Sequence, residues 1–440
     1  MKRFLLLSAF AGMVLWFAAT TPNTQHTHAA DPKPVAAANA EEAKGFFFKP
    51  NDRIVFLGDS ITAQYQYSTY IELYLTTRMP KGNFTFLNAG IGGDTANGGA
   101  ARFQHSVLAE KPTAITINFG MNDGGYGAFN PQGNKLFVEK TNAMLEMANK
   151  AGARVALLSP NAVDRRNKSN GKQYVETQKQ FYAPLKEIAE KHKVSYVDQY
   201  AITRAATDKM EVDDPMAKKA VPYYDGFHTS PPGGLLMAHA ILTGLHAPAT
   251  VSTATIEVSK AKAETTGCKV TDVSAAPNDA GVTFTRLDDA LPMPIQKDWL
   301  SMLPYTNELK DLNHYGLTVK GLKAGSYTVA IDDVVVGKFT EKQLADGVNL
   351  GNVTVGPIWE QGNKVLQAIN AKNGLVAQRF FDVVLYQFPN KEWLKDLTET
   401  IAEKKAAELK KRMDKIDAAQ AEVYKLATPV ARKFAVKAAQ

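Results

Sequence analysis

A serine, an aspartate–histidine pair and two further turns fall where an α/β protein does chemistry. Ser60 lies in the stretch Arg53-Ile54-Val55-Phe56-Leu57-Gly58-Asp59-Ser60-Ile61-Thr62. The apolar run from Ile54 to Leu57 suits a strand buried on both faces. It stops at Gly58-Asp59-Ser60, and a stretch with helical character runs from Gln64 to Met79. Ser60 is therefore expected at the C-terminal end of a strand and the N-terminal end of a helix, where open α/β sheets hold their ligands. The free N–H groups of a helix start favour developing negative charge there, which makes Ser60 a candidate nucleophile. Taken alone, the same serine also reads as a helix N-cap. Far along the chain, Asp225-Gly226-Phe227-His228 sets an aspartate three residues before a histidine. A loop that short can bring a carboxylate to one ring nitrogen and leave the other for a nucleophile.

The elements that must position these residues alternate from Asn51 to about His246. Strands are expected at Phe84–Leu87, Ala114–Phe119, Arg154–Leu158 and Val194–Val197, after the first at Ile54–Leu57. Helices are expected through Arg102 and Leu108, over Lys135–Lys150, over Tyr174–His192 and over Gly233–Leu245. Such alternation implies a five-stranded parallel sheet covered on both faces, a three-layer α/β/α flavodoxin-like fold with right-handed crossovers. Parallel strands share an orientation. Ser60, the Gly92-Gly93 turn and Asn122 then stand on one edge of the sheet.

Four blocks in order carry a family resemblance: Gly58-Asp59-Ser60-Ile61, Asn88 to Thr95, Gly120-Met121-Asn122-Asp123, and Asp225-x-x-His228. Together they resemble the SGNH/GDSL hydrolases, a family of serine esterases and lipases. The resemblance covers about residues 51–246. It implies that Ser60 Oγ attacks an ester carbonyl, that His228 moves the proton and that Asp225 orients the ring. It also implies an oxyanion hole made by the backbone N–H groups of Ser60 and Gly93 and the side-chain amide of Asn122, with no cofactor or metal. Asp59, Asp94 and Asp123 read as residues that hold turn backbone. Tyr126, Tyr224 and Phe227 lie beside these positions and are candidate substrate walls. One departure is Thr229-Ser230-Pro231-Pro232 after the histidine, where the family often has proline directly. The Gly-x-Ser-x-Gly elbow of the α/β-hydrolases is missing.

The rest of the chain frames this domain. Lys2-Arg3, an apolar run from Phe4 to Ala19 and small residues to Ala30 read as a secretory signal peptide over 1–30, with an uncleaved anchor as the alternative. Residues 31–50 read as a linker, 51–248 as the catalytic domain, 249–389 as a β-rich accessory domain interrupted by a helical stretch at Lys297–Leu312, and 390–440 as a helical tail. The single cysteine, Cys268, leaves an exported chain to rely on its core rather than a disulfide. A net charge of +7, concentrated in the Lys-rich tail and the N-terminus, gives no ground for a nucleic-acid partner. The expected function is hydrolysis of an acylated carbohydrate or small ester, O-deacetylation of a polysaccharide first, by a periplasmic or secreted enzyme. A lipase, lysophospholipase or thioesterase is the alternative within the chemistry. A non-catalytic glycan-binding protein is the alternative outside it.

Overall fold

Five short apolar runs set the central sheet. In the computed structural model, which describes residues 45–166 and 172–439, they form β1 (Arg53–Gly58), β2 (Thr85–Gly90), β3 (Ala114–Asn118), β4 (Arg154–Leu158) and β5 (Ser195–Val197). The signal-peptide reading of 1–30 lies outside the described residues, as does most of the 31–50 stretch. All four pairings in this sheet are parallel and the strand order is β2-β1-β3-β4-β5. Every residue of β3 is buried, as a strand covered on both faces requires.

The covering helices are α1 (Ser60–Ala63), α2 (Gln66–Arg78), α3 (Ala96–Ser106), α4 (Pro131–Lys150), α5 (Lys172–Tyr182), α6 (Leu185–His192), α7 (Gln199–Asp213) and α8 (Pro231–Gly244). The architecture is the expected three-layer α/β/α fold. The single helix expected over Tyr174–His192 is divided, because Pro184 cannot continue the first segment. Phe46, Phe47 and Phe48, at the end of the stretch read as a linker, are buried. The Phe47 N–H donates to Leu245 O at 3.2 Å.

The order of this sheet places its switch point between β1 and β3, and the register is level there. Gly58 lies opposite Gly90 on one side and Asn118 on the other. The turns that follow β1, β2 and β3 therefore leave one edge side by side.

Beyond α8 two further sheets share a second hydrophobic core. One runs β13-β10-β6-β7 and the other β12-β11-β14-β9-β8. The first contains β6 (Thr250–Glu257), β7 (Lys262–Thr266), β10 (His314–Lys320) and β13 (Val348–Asn349). The second contains β8 (Cys268–Ala275), β9 (Gly281–Asp288), β11 (Ser326–Ile331), β12 (Val334–Thr340) and β14 (Arg432–Ala438). Ile256, Leu317 and Val319 meet Phe284, Val329, Phe434 and Val436 in that core. The remaining helices are α9 (Glu341–Asp346), α10 (Pro357–Arg379) and α11 (Lys395–Ala427).

Three features add to what the sequence led one to expect of this part. The helical stretch at Lys297–Leu312 is two 3₁₀ segments, Lys297–Tyr305 and Asn307–Leu309. The β-rich part contains a helix of 23 residues, α10. The helical tail ends in a strand, and β14 sits between β11 and β9, pairing antiparallel with both. A buried network joins this part to the sheet domain. Lys372 of α10 donates to Glu72 of α2 at 2.5 Å and to Gln420 of α11 at 3.2 Å. Arg379 pairs with Glu110 at 2.7 Å. Among the described residues no helix is long and apolar enough to cross a membrane.

Candidate active site

The first turn is built by its neighbours. Asp59, not Ser60, is the N-cap of α1, and its carboxylate accepts from the Ile61 N–H at 2.9 Å. That frees the serine hydroxyl from capping. Gly58 is needed beneath it, since a Cβ there would stand 2.2 Å from Thr62 Oγ1 and 2.7 Å from Asn118 O.

Ser60 Oγ lies 2.7 Å from His228 Nε2, and His228 Nδ1 lies 2.6 Å from Asp225 Oδ2. Asp225 can only accept while ionised, so Nδ1 carries the ring proton and Nε2 is left to accept from the serine. The other carboxylate oxygen, Oδ1, accepts from the backbone N–H groups of His228 and Phe227 at 2.9 and 3.2 Å. Partial burial pushes the Asp225 carboxyl up, but these bonds and the His228 ring outweigh it and hold it below the usual carboxylate range. The loop is pinned from outside. Asn161 Nδ2 donates to Phe227 O at 3.2 Å, and the Asp164 N–H donates to Gly226 O at 2.8 Å. Gln64, one turn after Ser60, accepts with Oε1 from the N–H and hydroxyl of Thr229, both at 3.2 Å.

On the neighbouring turns, Gly93 has φ +74°, a conformation that suits glycine, and an added Cβ would meet nothing within 4 Å. Its side faces open space rather than packed atoms. Asn122 Nδ2 donates to Asp94 O at 2.9 Å, and Asn122 Oδ1 accepts from the Tyr126 hydroxyl at 2.6 Å. These two bonds fix which way the amide points and leave its second hydrogen available. Tyr126, expected as a substrate wall, thus has its hydroxyl committed to Asn122. Its ring stands 4.7 Å from that of Phe227, which in turn lies 4.5 Å from the His228 ring. Tyr224 is exposed.

Three carboxylates support the turns. Asp123 accepts from the N–H groups of Ala96 and Gly120 at 2.9 and 3.0 Å. Asp94 pairs with Arg102 at 2.8 Å, and Arg102 also donates to Ala89 O at 2.7 Å at the end of β2. Burial pushes Asp59 up to about 7, helped by the nearby Asp123 and Asp94 charges. Burial raises Asp123 to about 6 in the same way.

Arg102 and Gln64 were not singled out from the sequence. Helix spacing alone gives no sign that the Arg102 guanidinium is buried, and Gln64 stands in the corner after α1, outside the helices. Away from this site, His239 pairs with Asp311 at 3.0 Å, and His192 Nε2 lies 2.8 Å from Asn142 Oδ1. Among the described residues no group of three or more His, Cys, Asp or Glu could hold a metal ion.

Over 76 residues the chain is 38% identical to "Uncharacterized lipoprotein YqeF" of Bacillus subtilis (strain 168), covering 16% of this chain and 31% of that protein. Over 109 residues it is 32% identical to "Esterase TesA" of Pseudomonas aeruginosa, covering 24% of this chain and 52% of that protein. The chain thus spans about a third to a half of the curated relatives it matches. A solved structure of a gut microbial diltiazem-metabolizing enzyme superposes with a TM-score of 0.76 at 23% identity, covering 89% of this chain and 98% of that one. That likeness shows a common fold extending well beyond the α/β layers. Residues 56–234 match the model of the GDSL-like lipase/acylhydrolase family.

Proposed function

We propose that this protein is a serine ester hydrolase acting through an acyl-enzyme. The observation that carries the reading is the unbroken line Asp225–His228–Ser60, with its contacts of 2.6 and 2.7 Å. Ser60 Oγ forms a bond to the ester carbonyl carbon while its proton passes to His228 Nε2. The carbonyl oxygen becomes an oxyanion, met by the N–H groups of Ser60 and Gly93 and the remaining Asn122 Nδ2 hydrogen. The C–O bond to the alcohol breaks as His228 returns the proton to the leaving oxygen. Water, deprotonated by the same ring, then releases the acid and restores Ser60. Asp225 keeps Nδ1 protonated and stabilises the imidazolium, without itself taking the proton.

The finer reading is removal of acyl groups, acetyl first, from a carbohydrate. The aromatic side chains beside the site and the polar cleft described below support it. Export is part of the same reading, supported by the basic and apolar N-terminal segment and by a relative described as a lipoprotein.

Release of nitrophenol from p-nitrophenyl acetate tests the chemistry. Wild type is expected to turn over, and Ser60→Ala to lose at least about a thousandfold in kcat. Equal rates in the two proteins would sink the proposal.

A further inference from the structure

A polar cleft of about 320 Å³ opens beside the Ser60 turn. That is within the size range of small-molecule sites, about 300–1,000 Å³. Its near wall is the corner between α1 and α2, with Gln64, Tyr65 and Gln66. It reaches Pro231 at the start of α8, and its far wall comes from the β-rich part of the chain through Gln296, Asp298 and Asn370. Ser60, Asp225 and His228 do not themselves line it, but their neighbours Gln64 and Pro231 do. The Gln64 N–H donates to Ser60 O at 3.0 Å, and its side chain holds Thr229, the residue after His228. Pro231 follows His228 by three positions.

The lining decides what could bind. Beneath the polar rim, the buried rings of Tyr70 and Trp299 meet edge-on at 4.3 Å and make a firm base. Among the described residues, the side chains of Asn370 and Asp298 have no hydrogen-bond partner within the protein. No lysine or arginine lines the cleft, and its one charged side chain is a carboxylate. An anionic group would meet Asp298 uncompensated. A long acyl chain would bury the Asn370 amide and the Asp298 carboxylate without partners. Hydroxyl groups, which donate and accept at once, match the amides and the carboxylate together.

We propose that this cleft binds the alcohol half of the ester, and that the group it takes is a neutral, hydroxyl-rich ring such as a sugar unit. The assignment rests on Ser60 being the nucleophile. It gives the β-rich part a role in specificity, because two of its segments form the far wall.

The test uses the full chain with Gln296→Ala and Asn370→Ala combined, assayed on methyl acetate and on an acetylated xylo-oligosaccharide. The expected result is a KM for the oligosaccharide raised about tenfold, with the kcat/KM ratio between the two substrates shifted by a similar factor. Titration calorimetry of unacylated xylo-oligosaccharide against Ser60→Ala protein should show binding that the double substitution removes. Parallel loss on both substrates, no change on either, or binding that survives the substitutions overturns the cleft assignment. Failure of the Ser60 reading shows itself differently, as wild-type protein inert toward p-nitrophenyl acetate, and the calorimetric result still decides the cleft.

Discussion

At the scale of single residues, neighbours release Ser60 and aim Asn122. Asp59 takes the capping role that the sequence left open for Ser60, so the serine hydroxyl can face His228. The turn residues were legible because glycine, aspartate and asparagine at strand ends are few and fall in order. The Tyr126–Asn122 bond was not, since Tyr126 reaches back from a residue with φ +58° that no spacing rule foresees. Asn122→Ala should lower kcat by about 10²–10³, the usual effect of removing one oxyanion donor. Tyr126→Phe keeps the ring and loses only the bond that orients the amide. It should cost about three- to tenfold in kcat with KM little changed, and steady-state kinetics on p-nitrophenyl acetate measures both. Asp59 supplies a pH prediction. Its folded pKa, about 7, lies above the ordinary value of 3.8, so the native state binds the proton more tightly than the unfolded chain. Its contribution is complete below about pH 4 and is lost as pH rises through 7. Asp59→Asn keeps an acceptor for Ile61 and cannot ionise. Urea denaturation between pH 4 and 8 should show wild type losing of the order of a few kcal/mol relative to the variant.

At the scale of elements, the sheet was legible because its strands are continuous apolar runs ending in recognisable turns. The C-terminal half was harder. Helix α10 contains Gly362, Gly374 and three asparagines, all poor helix formers, and is held by burial of Val365, Ile369 and Val376 rather than by propensity. Strand β14 shows the alternation Phe434, Val436 over only seven residues after a long Lys- and Glu-rich helix, and its partners lie about a hundred residues or more earlier. Distance along the chain hides such pairing from local pattern. The junction of β1 with α1 gives the sharpest element-level prediction. Gly58→Ala would drive a methyl group against Thr62 and the backbone of β3. Either α1 shifts away from β3 or the strands part. The expected cost is about 1–3 kcal/mol in stability, with a larger fractional loss of esterase rate because Ser60 moves with α1. Thermal denaturation and kinetics on the same protein separate the two effects.

At the scale of the whole molecule, the β-rich part and the long helix are joined to the sheet domain by buried charge. Glu72 lies 300 residues before Lys372, and Gln420 comes from the α-helix after that of Lys372. Burial pushes Glu72 up and Lys372 down, and the attraction between them opposes both. Lys372→Met should leave Glu72 buried and unpaired, costing about 3–5 kcal/mol, while the double change with Glu72→Gln should recover most of it. Equilibrium unfolding of the single and double variants checks this. The central claim, that Ser60 is the nucleophile of a serine ester hydrolase, is tested most directly by covalent labelling. Wild-type protein treated with an alkyl fluorophosphonate and examined by intact and peptide mass spectrometry should gain one adduct, on the peptide containing Ser60, as activity is lost in step. An adduct elsewhere, or full labelling with activity retained, would contradict it.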